Sequence, residues 1–249
     1  MRYTHIMIKR GVHFEEVNDK KIFCCLAESE STIKKIVIMS HGFRGSSIGP
    51  ARQFVDFEQV LIKNDYSVLR FDQPNCGNSE GDFLQSSFNE WIATIVYFAD
   101  KYLKLGYQVT LLGQSMGASA TVAATHDPLI VDKIPCILLW VPDPKSNIEE
   151  MTGQIYEEGG QKYDGKFWQE ARESNFFECL SSYNGAIHLV YGETDRFVHQ
   201  ELKTKVIDIV KGKGQETMIL KRQDHSPWDY DLIQTVFARE LELLNQCVL

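Results

Sequence analysis

The chain has 249 residues, 43% of them hydrophobic and 24% charged, which is enough for a large core and too apolar for a disordered protein. Its formal net charge is −8, and no run of lysine or arginine exceeds two residues, which argues against a nucleic-acid groove. No apolar run approaches the ~20 residues of a membrane span, so we expect neither nucleic acid nor membrane as a partner.

Strand-like and helix-like patterns alternate along almost the whole chain, which predicts an α/β fold with helices on both faces of a sheet. Residues 6–14 and 21–27 form an opening antiparallel pair that turns at Asn18-Asp19. Further strands are predicted at residues 35–40, 66–71, 107–113, 135–141, 186–191 and 216–220. Helices are predicted at residues 50–63, 88–105, 116–125, 198–210 and 230–245.

The regular alternation stops at residues 142–181, where prolines, glycines and aromatic residues are mixed. The stretch is too long for a simple connection. Its aromatic content argues against the alternative, a disordered insertion. We therefore predict a small cap of short helices at about 142–181, inserted into a single domain that spans residues 1–249.

The motif Gly113-Gln114-Ser115-Met116-Gly117 lies between a predicted strand and a predicted helix. A serine on such a sharp turn adopts a strained backbone conformation that lifts its hydroxyl clear of the sheet. The flanking residues approach each other across the turn and must be small, as glycines are. The motif predicts that Ser115 is a nucleophile; the alternative is an ordinary strand–turn–helix corner.

Two more polar residues follow strands of the predicted sheet: Asp195, after residues 186–191, and His225, after residues 216–220. Ligands of open parallel sheets bind beyond the carboxyl ends of the strands. A serine needs a base to take its proton, histidine titrates near neutral pH, and a carboxylate can fix the imidazole tautomer. The sequence therefore predicts a catalytic set of Ser115, Asp195 and His225.

Other residues compete for these roles. Asp195 can instead cap the helix that follows it, Asp143 also follows a strand, and Asp224 is adjacent to His225, where neighbouring side chains rarely face each other. His225 lies in a predicted loop, and the alternative to its role as the base is that it is a solvated surface histidine. The remaining histidines outside the glycine loop lie in predicted strands or helices or at their ends, where structural roles are expected: His5, His13, His126, His188 and His199.

An acyl-transfer site also needs donors for the oxyanion. We predict the backbone N–H groups of Met116, which follows the nucleophile, and of Phe43, in the loop His41-Gly42-Phe43-Arg44-Gly45. Gly42 allows close approach of the backbone, and His41 is expected to brace the loop by hydrogen bonds. The alternative is an ordinary glycine turn.

Together these motifs resemble the α/β-hydrolase family, in its small carboxylesterase branch. The resemblance extends from about residue 20 to the end and includes residues 41–43, 72–81, 113–117, 192–198 and 224–225. Bacterial cinnamoyl or feruloyl esterases and serine-aminopeptidase-like hydrolases are the most similar groups. The resemblance implies a mostly parallel eight-stranded sheet, a Ser115–Asp195–His225 triad, a covalent acyl-enzyme and no cofactor.

The predicted activity is hydrolysis of carboxylic esters with small or medium acyl groups, and the predicted partner is a small-molecule ester. Trp140, Trp168 and Trp228 are candidates to line the acyl site, with packing in the core or the cap as an equal alternative. A thioesterase or amidase with the same triad, and a non-catalytic ligand-binding protein on the same fold, stay open. No H-x-x-x-H or clustered carboxylate spacing indicates a metal.

Six cysteines are spread along the chain without C-x-x-C spacing, and no apolar leader is evident at the start of the sequence. Both features favour a reducing, cytoplasmic location. The sequence does not indicate an oligomeric state.

Overall fold

One eight-stranded sheet organises the chain. The computed structural model describes residues 9–145 and 149–247. The strands are β1 (Lys9–Val17), β2 (Lys20–Glu28), β3 (Lys35–Ser40), β4 (Ser67–Phe71), β5 (Gln108–Gln114), β6 (Cys136–Trp140), β7 (Ile155–Glu158), β8 (Gln161–Asp164), β9 (Ala186–Gly192) and β10 (Glu216–Leu220). All but β7 and β8, which form a separate hairpin, belong to the large sheet.

The large sheet has the strand order β1-β2-β4-β3-β5-β6-β9-β10. Only β2 runs against its neighbours; the pairs from β4 to β10 are all parallel. The central strands β4 and β6 are buried at every position, as expected for parallel strands covered on both faces. The carboxyl ends of β5, β9 and β10 therefore lie along one edge of the sheet.

Seven helices accompany these strands in the described residues: α1 (Gln53–Ile62), α2 (Phe88–Lys104), α3 (Met116–Ala124), α4 (Lys166–Glu173), α5 (Phe176–Ser182), α6 (Gln200–Gly212) and α7 (Tyr230–Cys247). The Ser87 hydroxyl caps α2 by accepting the Glu90 N–H at 3.2 Å. Helices α1 and α7 pack together on one face through stacked Phe57 and Phe237 rings, 4.6 Å apart. Helices α2 and α3 pack together on the other face.

The predicted α/β fold is confirmed, and most predicted boundaries are within two residues of those observed. The opening hairpin turns at Asn18 and Asp19, both with positive φ, as expected. Residues 6–8 of the first predicted strand lie outside the described residues. The helix predicted from Pro50 begins with a short 3-10 turn, because Ala51 and Arg52 have positive φ, and α1 starts at Gln53.

The predicted cap at 142–181 differs from expectation in one respect. We expected short helices alone, but the hairpin β7–β8 precedes α4 and α5. Gly159 and Gly160 connect its strands with φ of 57° and 79°, the left-handed conformation that a tight two-residue turn requires. That the whole stretch is a cap inserted into one domain stays a prediction.

Within residues 9–145 and 149–247, we find no helix with the length and apolar character needed to cross a membrane.

Candidate active site

Ser115 lies between β5 and α3 with φ of 54° and ψ of −124°, a backbone conformation that residues other than glycine rarely adopt. The turn is closely packed. A Cβ at Gly113 would lie 2.4 Å from the Ala118 Cα, and one at Gly117 would lie 2.3 Å from the His41 carbonyl oxygen. Both positions therefore exclude every residue but glycine, which is the physical basis of the motif.

A continuous hydrogen-bonded chain joins the three residues expected at the site. His225 Nε2 lies 2.8 Å from Ser115 Oγ, and His225 Nδ1 lies 2.8 Å from Asp195 Oδ2. The loops after β5, β9 and β10 thus bring Ser115 together with Asp195 and His225, which follow it by 80 and 110 residues in the sequence. In this arrangement the serine hydroxyl donates to His225, whose other nitrogen donates to Asp195.

The Asp195 side chain is fully buried, although the residue lies in a surface loop. Its Oδ1 accepts the backbone N–H groups of Phe197 at 2.9 Å and Val198 at 3.1 Å. Burial opposes ionisation, but the His225 contact and these two N–H donors outweigh it and lower the pKa of Asp195. The expected cap of the following helix is not observed, because α6 begins at Gln200 with His199 as its N-cap; the Asp195 oxygens instead bind the loop at residues 197–198 and the His225 ring.

The competing carboxylates make other contacts. Asp224 accepts the backbone N–H groups of Arg196 and His225 and pairs with the Arg196 guanidinium at 2.7 Å. Asp143 is buried, and its carboxylate pairs with Lys145 at 2.9 Å; burial raises the pKa of Asp143 despite that cation. Neither carboxylate hydrogen-bonds to the His225 ring.

The loop at residues 41–45 presses against the serine turn. A Cβ at Gly42 would lie 2.8 Å from the Ser115 Cβ, so only glycine fits there. The Gln73 N–H donates to His41 Nε2 at 2.9 Å, and His41 Nδ1 donates to the Gly42 carbonyl at 2.8 Å. Burial lowers the pKa of His41, so it stays neutral and braces the loop as expected.

The two predicted oxyanion donors belong to residues that line the same cavity as Ser115. Within the part of the chain that the structure describes, neither the Phe43 N–H nor the Met116 N–H donates to a protein acceptor. Met116 is the first residue of α3, where backbone N–H groups lack helical partners and the helix dipole is positive. Both N–H groups are therefore free to bind an anionic oxygen.

The cavity at this edge of the sheet has a volume of about 450 Å³ and is partly open to solvent. Ser115 and His225 line it together with Phe43, Trp168 and Phe197. Its walls therefore combine apolar rings with the polar groups of the triad, which is typical of a small-molecule site.

The sequence and the fold were compared with known proteins. The profile of the serine aminopeptidase (S33) family matches residues 31–134, which is less than half of the chain. Comparison with curated protein sequences gives no significant match.

Solved structures match over nearly the full length. Est1E from Butyrivibrio proteoclasticus, with ferulic acid bound, superposes with a TM-score of 0.82 at 19% identity, covering 95% of this chain and 99% of that one. The chain has the α/β-hydrolase fold. The α/β hydrolase GrgF from Penicillium sp. sh18 gives 0.78 at 15% identity, covering 96% and 99%, and the esterase Pf2001 of Pyrococcus furiosus gives 0.70 at 19%, covering 97% and 93%. The resemblance expected from the sequence is confirmed at the level of the fold.

Only one of the three tryptophans expected at the acyl site lines the cavity. Trp168 does so, 4.6 Å from the Phe43 ring between centroids. Trp140 instead points into the core, where its indole N–H donates to Glu240 at 2.6 Å. Trp228 packs behind the His225 loop against Trp140, with ring centroids 5.7 Å apart. Trp140 and Trp228 therefore belong to the buried core and are not among the residues that line the cavity; Trp140 packs against Phe57 of α1 and Phe237 of α7.

Charged residues that the sequence did not single out also line the cavity. Arg44 pairs with Glu158 of β7 at 2.7 Å, and Lys145 pairs with Asp143. Arg44 belongs to the loop at residues 41–45, so the sequence already pointed to its surroundings. Nothing in the sequence pattern indicates that Lys145 or Glu158 lines the cavity. Because each cation has an anionic partner, the cavity walls are polar without a large net charge.

No group of three or more His, Cys, Asp and Glu side chains in residues 9–145 and 149–247 has an arrangement that would hold a metal ion. Chemistry without a metal or another cofactor stays a prediction.

Proposed function

We propose that this protein is a serine hydrolase that cleaves carboxylic esters of small or medium acyl groups through a covalent acyl-enzyme. One observation carries the proposal: Ser115, His225 and Asp195 form an unbroken hydrogen-bonded chain at a cavity large enough for a small molecule. A carboxylate–imidazole–hydroxyl chain of this kind is the arrangement that activates a serine at neutral pH.

In the first step, Ser115 Oγ attacks the ester carbonyl carbon while His225 Nε2 takes the hydroxyl proton. Asp195 accepts from the other ring nitrogen and stabilises the imidazolium that forms. The carbonyl oxygen becomes an oxyanion and accepts hydrogen bonds from the Phe43 and Met116 N–H groups. His225 then returns its proton to the leaving alcohol as the carbon–oxygen bond breaks, which leaves the acyl group on Ser115.

In the second step, His225 takes a proton from water, and the hydroxide oxygen attacks the acyl carbon. The same N–H groups hold the second oxyanion. When it collapses, the bond to Ser115 breaks, the serine regains a proton from His225, and the carboxylic acid leaves. The step consumes one water molecule and restores every group to its starting state.

The cavity supports an acyl group of limited size with an apolar or aromatic part. Phe43 and Trp168 provide aromatic walls, while Asp143 and Lys145 provide a polar region. Since Est1E is described with ferulic acid bound, a hydroxycinnamate ester belongs among the first candidates. The six cysteines are all unpaired, which supports a cytoplasmic setting.

The test compares matched p-nitrophenyl esters of increasing acyl length, a hydroxycinnamate methyl ester, a thioester and an anilide, each with the wild-type protein and Ser115→Ala. We expect wild-type turnover of the esters and loss of at least about 10³-fold in kcat for Ser115→Ala. Faster turnover of the thioester or the anilide would identify the corresponding thioesterase or amidase. Near-wild-type hydrolysis by Ser115→Ala would refute the triad.

A further inference from the structure

The side chain of Gln114 connects three loops of the site. Its Oε1 accepts the Gly42 N–H at 3.0 Å, and its Nε2 donates to Ser226 Oγ at 3.3 Å. Gln114 directly precedes Ser115, Gly42 directly precedes Phe43, and Ser226 directly follows His225. The Gln114 amide therefore contacts two residues: Ser226, next to the predicted base His225, and Gly42, next to the predicted oxyanion donor Phe43.

The two contacts fix which way the amide faces. The Gly42 N–H needs an acceptor, and only the carbonyl oxygen of Gln114 can supply one, so the amine group turns toward Ser226. The Gln114 side chain is buried and lies against the cavity. A buried N–H that loses its acceptor is destabilised, so Gly42 would shift if the amide were removed.

We propose that Gln114 is a positioning residue, which holds the Gly42–Phe43 segment and the His225–Ser226 segment at the distances that the reaction requires. The proposal rests on the ester hydrolysis proposed above. Gln114 does not contact the reacting atoms. It acts through Gly42, whose movement would carry the Phe43 N–H away from the oxyanion position.

Close packing explains why a small shift would matter. Gly42 is already so near the serine turn that a Cβ on it would lie 2.6 Å from Gln114 Oε1 and 2.8 Å from Ser115 Cβ. The Phe43 ring, in contrast, is held by aromatic contacts with Trp168 and Phe167. The N–H of Phe43 is therefore positioned from two sides, by its own ring and by the amide of Gln114.

The test variant is Gln114→Met, which keeps the length of the side chain and removes both hydrogen bonds. The matched control is Gln215→Met. Gln215 Oε1 also accepts one backbone N–H, from Ile187 at 3.0 Å, but at the start of β9, at the end of the sheet opposite the site. Both variants lose a backbone N–H bond to a glutamine oxygen, so the control accounts for the cost of that bond, and Gln114→Met loses the Ser226 contact in addition.

We expect kcat of Gln114→Met to fall about 10- to 100-fold, less than the loss of a whole oxyanion donor, with KM changed by less than about threefold. The pH dependence of kcat should keep its midpoint, since no charge is altered. Amide hydrogen exchange at Gly42 should accelerate at least about tenfold in Gln114→Met and stay unchanged in Gln215→Met.

Other results would overturn the proposal. Wild-type kcat in Gln114→Met, with the wild-type protein active, would refute the positioning role and leave the esterase intact. Equal losses in Gln114→Met and Gln215→Met would assign Gln114 a general structural role. If the wild-type protein hydrolyses no ester, the proposed function fails, and unchanged exchange at Gly42 would refute the brace separately.

A second variant covers the case in which Gln114→Met does not fold. Gln114→Glu keeps an acceptor for the Gly42 N–H, and the Ser226 hydroxyl can donate to it. We expect exchange at Gly42 to remain as slow as in the wild-type protein. Fast exchange in Gln114→Glu would contradict the proposed contact.

Discussion

Two regions of this molecule pair a histidine with a carboxylate, and only one of them has the features of an active site. His225 contacts Asp195 at 2.8 Å at the cavity, and His188 contacts Glu240 at 3.1 Å inside the core. The difference lies at the other ring nitrogen. His225 Nε2 meets the Ser115 hydroxyl at 2.8 Å, whereas His188 Nε2 has no hydrogen-bond partner in the described part of the chain.

The surroundings of the two pairs differ as well. The core pair is completely buried, and Trp140 shares the Glu240 oxygen as a second donor. The cavity pair lies beside free N–H groups at Phe43 and Met116. A carboxylate–imidazole pair is therefore not sufficient for catalysis; a nucleophile, oxyanion donors and access for substrate decide its role.

The largest difference between the two pairs is expected when both histidines are changed to glutamine. His225→Gln should lower kcat by about 10⁴- to 10⁶-fold, because the nucleophile loses its base. His188→Gln should leave kcat within about twofold and lower the free energy of unfolding by about 1–3 kcal/mol, since a buried contact is lost. Ester hydrolysis and urea denaturation measure both effects. Similar kcat values for the two variants would contradict the assignment.

The next largest effect is expected for the carboxylate of the cavity pair, Asp195. Asp195→Asn should lower kcat by about 10⁴-fold, because an amide can leave His225 in the wrong tautomer. The wild-type contact contributes stability that is present above the ordinary aspartate pKa of about 3.9 and is lost as pH falls through the lowered pKa of Asp195. The variant's unfolding free energy should therefore depend less on pH below about 4. Wild-type turnover by Asp195→Asn would transfer the orienting role elsewhere.

A smaller effect is expected from the tryptophan that lines the cavity. Trp168→Ala should raise KM for an aromatic acyl ester by about tenfold, equivalent to ~1.4 kcal/mol of lost contact. Trp140→Phe is the core control: it should leave KM unchanged and reduce stability, because Glu240 loses an indole donor. Steady-state kinetics with short and aromatic esters measure the difference. A KM change confined to Trp140→Phe would reverse the placement of the two rings.

The smallest expected effect is the pH dependence of the free energy of unfolding that arises from the core pair His188–Glu240. Burial raises the pKa of Glu240, although His188 and Trp140 act in the opposite direction. A carboxyl group with a raised folded pKa stabilises the fold fully below its unfolded pKa of about 4.3, and that contribution is lost as pH rises through the folded value. The free energy of unfolding of Glu240→Gln, measured by urea titration, should therefore rise relative to that of the wild type as pH increases above about 4.3. A loss of stability of Glu240→Gln relative to the wild type with rising pH would contradict the shift.

Much of the fold was predictable because its signals are local. The short apolar stretches at β4 and β6 favour buried central strands, and the glycines at 113 and 117 specify a close turn. The site followed from topology, since loops after parallel strands meet at one edge of the sheet. The assignment of His225 and not His188 depended on that rule.

Other features depend on packing that a single sequence does not reveal. Trp140 ends a strand buried on both faces, so its position leaves open whether the ring faces the cavity or the core. The hairpin β7–β8 has two short strands that are mostly exposed and lack apolar alternation, and only Gly159-Gly160 signalled its turn. Gln114 occupies the variable position of its motif, so its contact with Gly42 required the folded loop.

The most direct test of the central claim is covalent labelling of Ser115 by a fluorophosphonate, followed by intact-mass and peptide mass spectrometry. We predict one phosphonyl group per chain, located on Ser115, with no labelling of Ser115→Ala and much slower labelling of His225→Gln. His188→Gln should label at the wild-type rate. Absence of labelling in the wild-type protein, or labelling that persists in Ser115→Ala, would contradict the account and favour a non-catalytic binding protein.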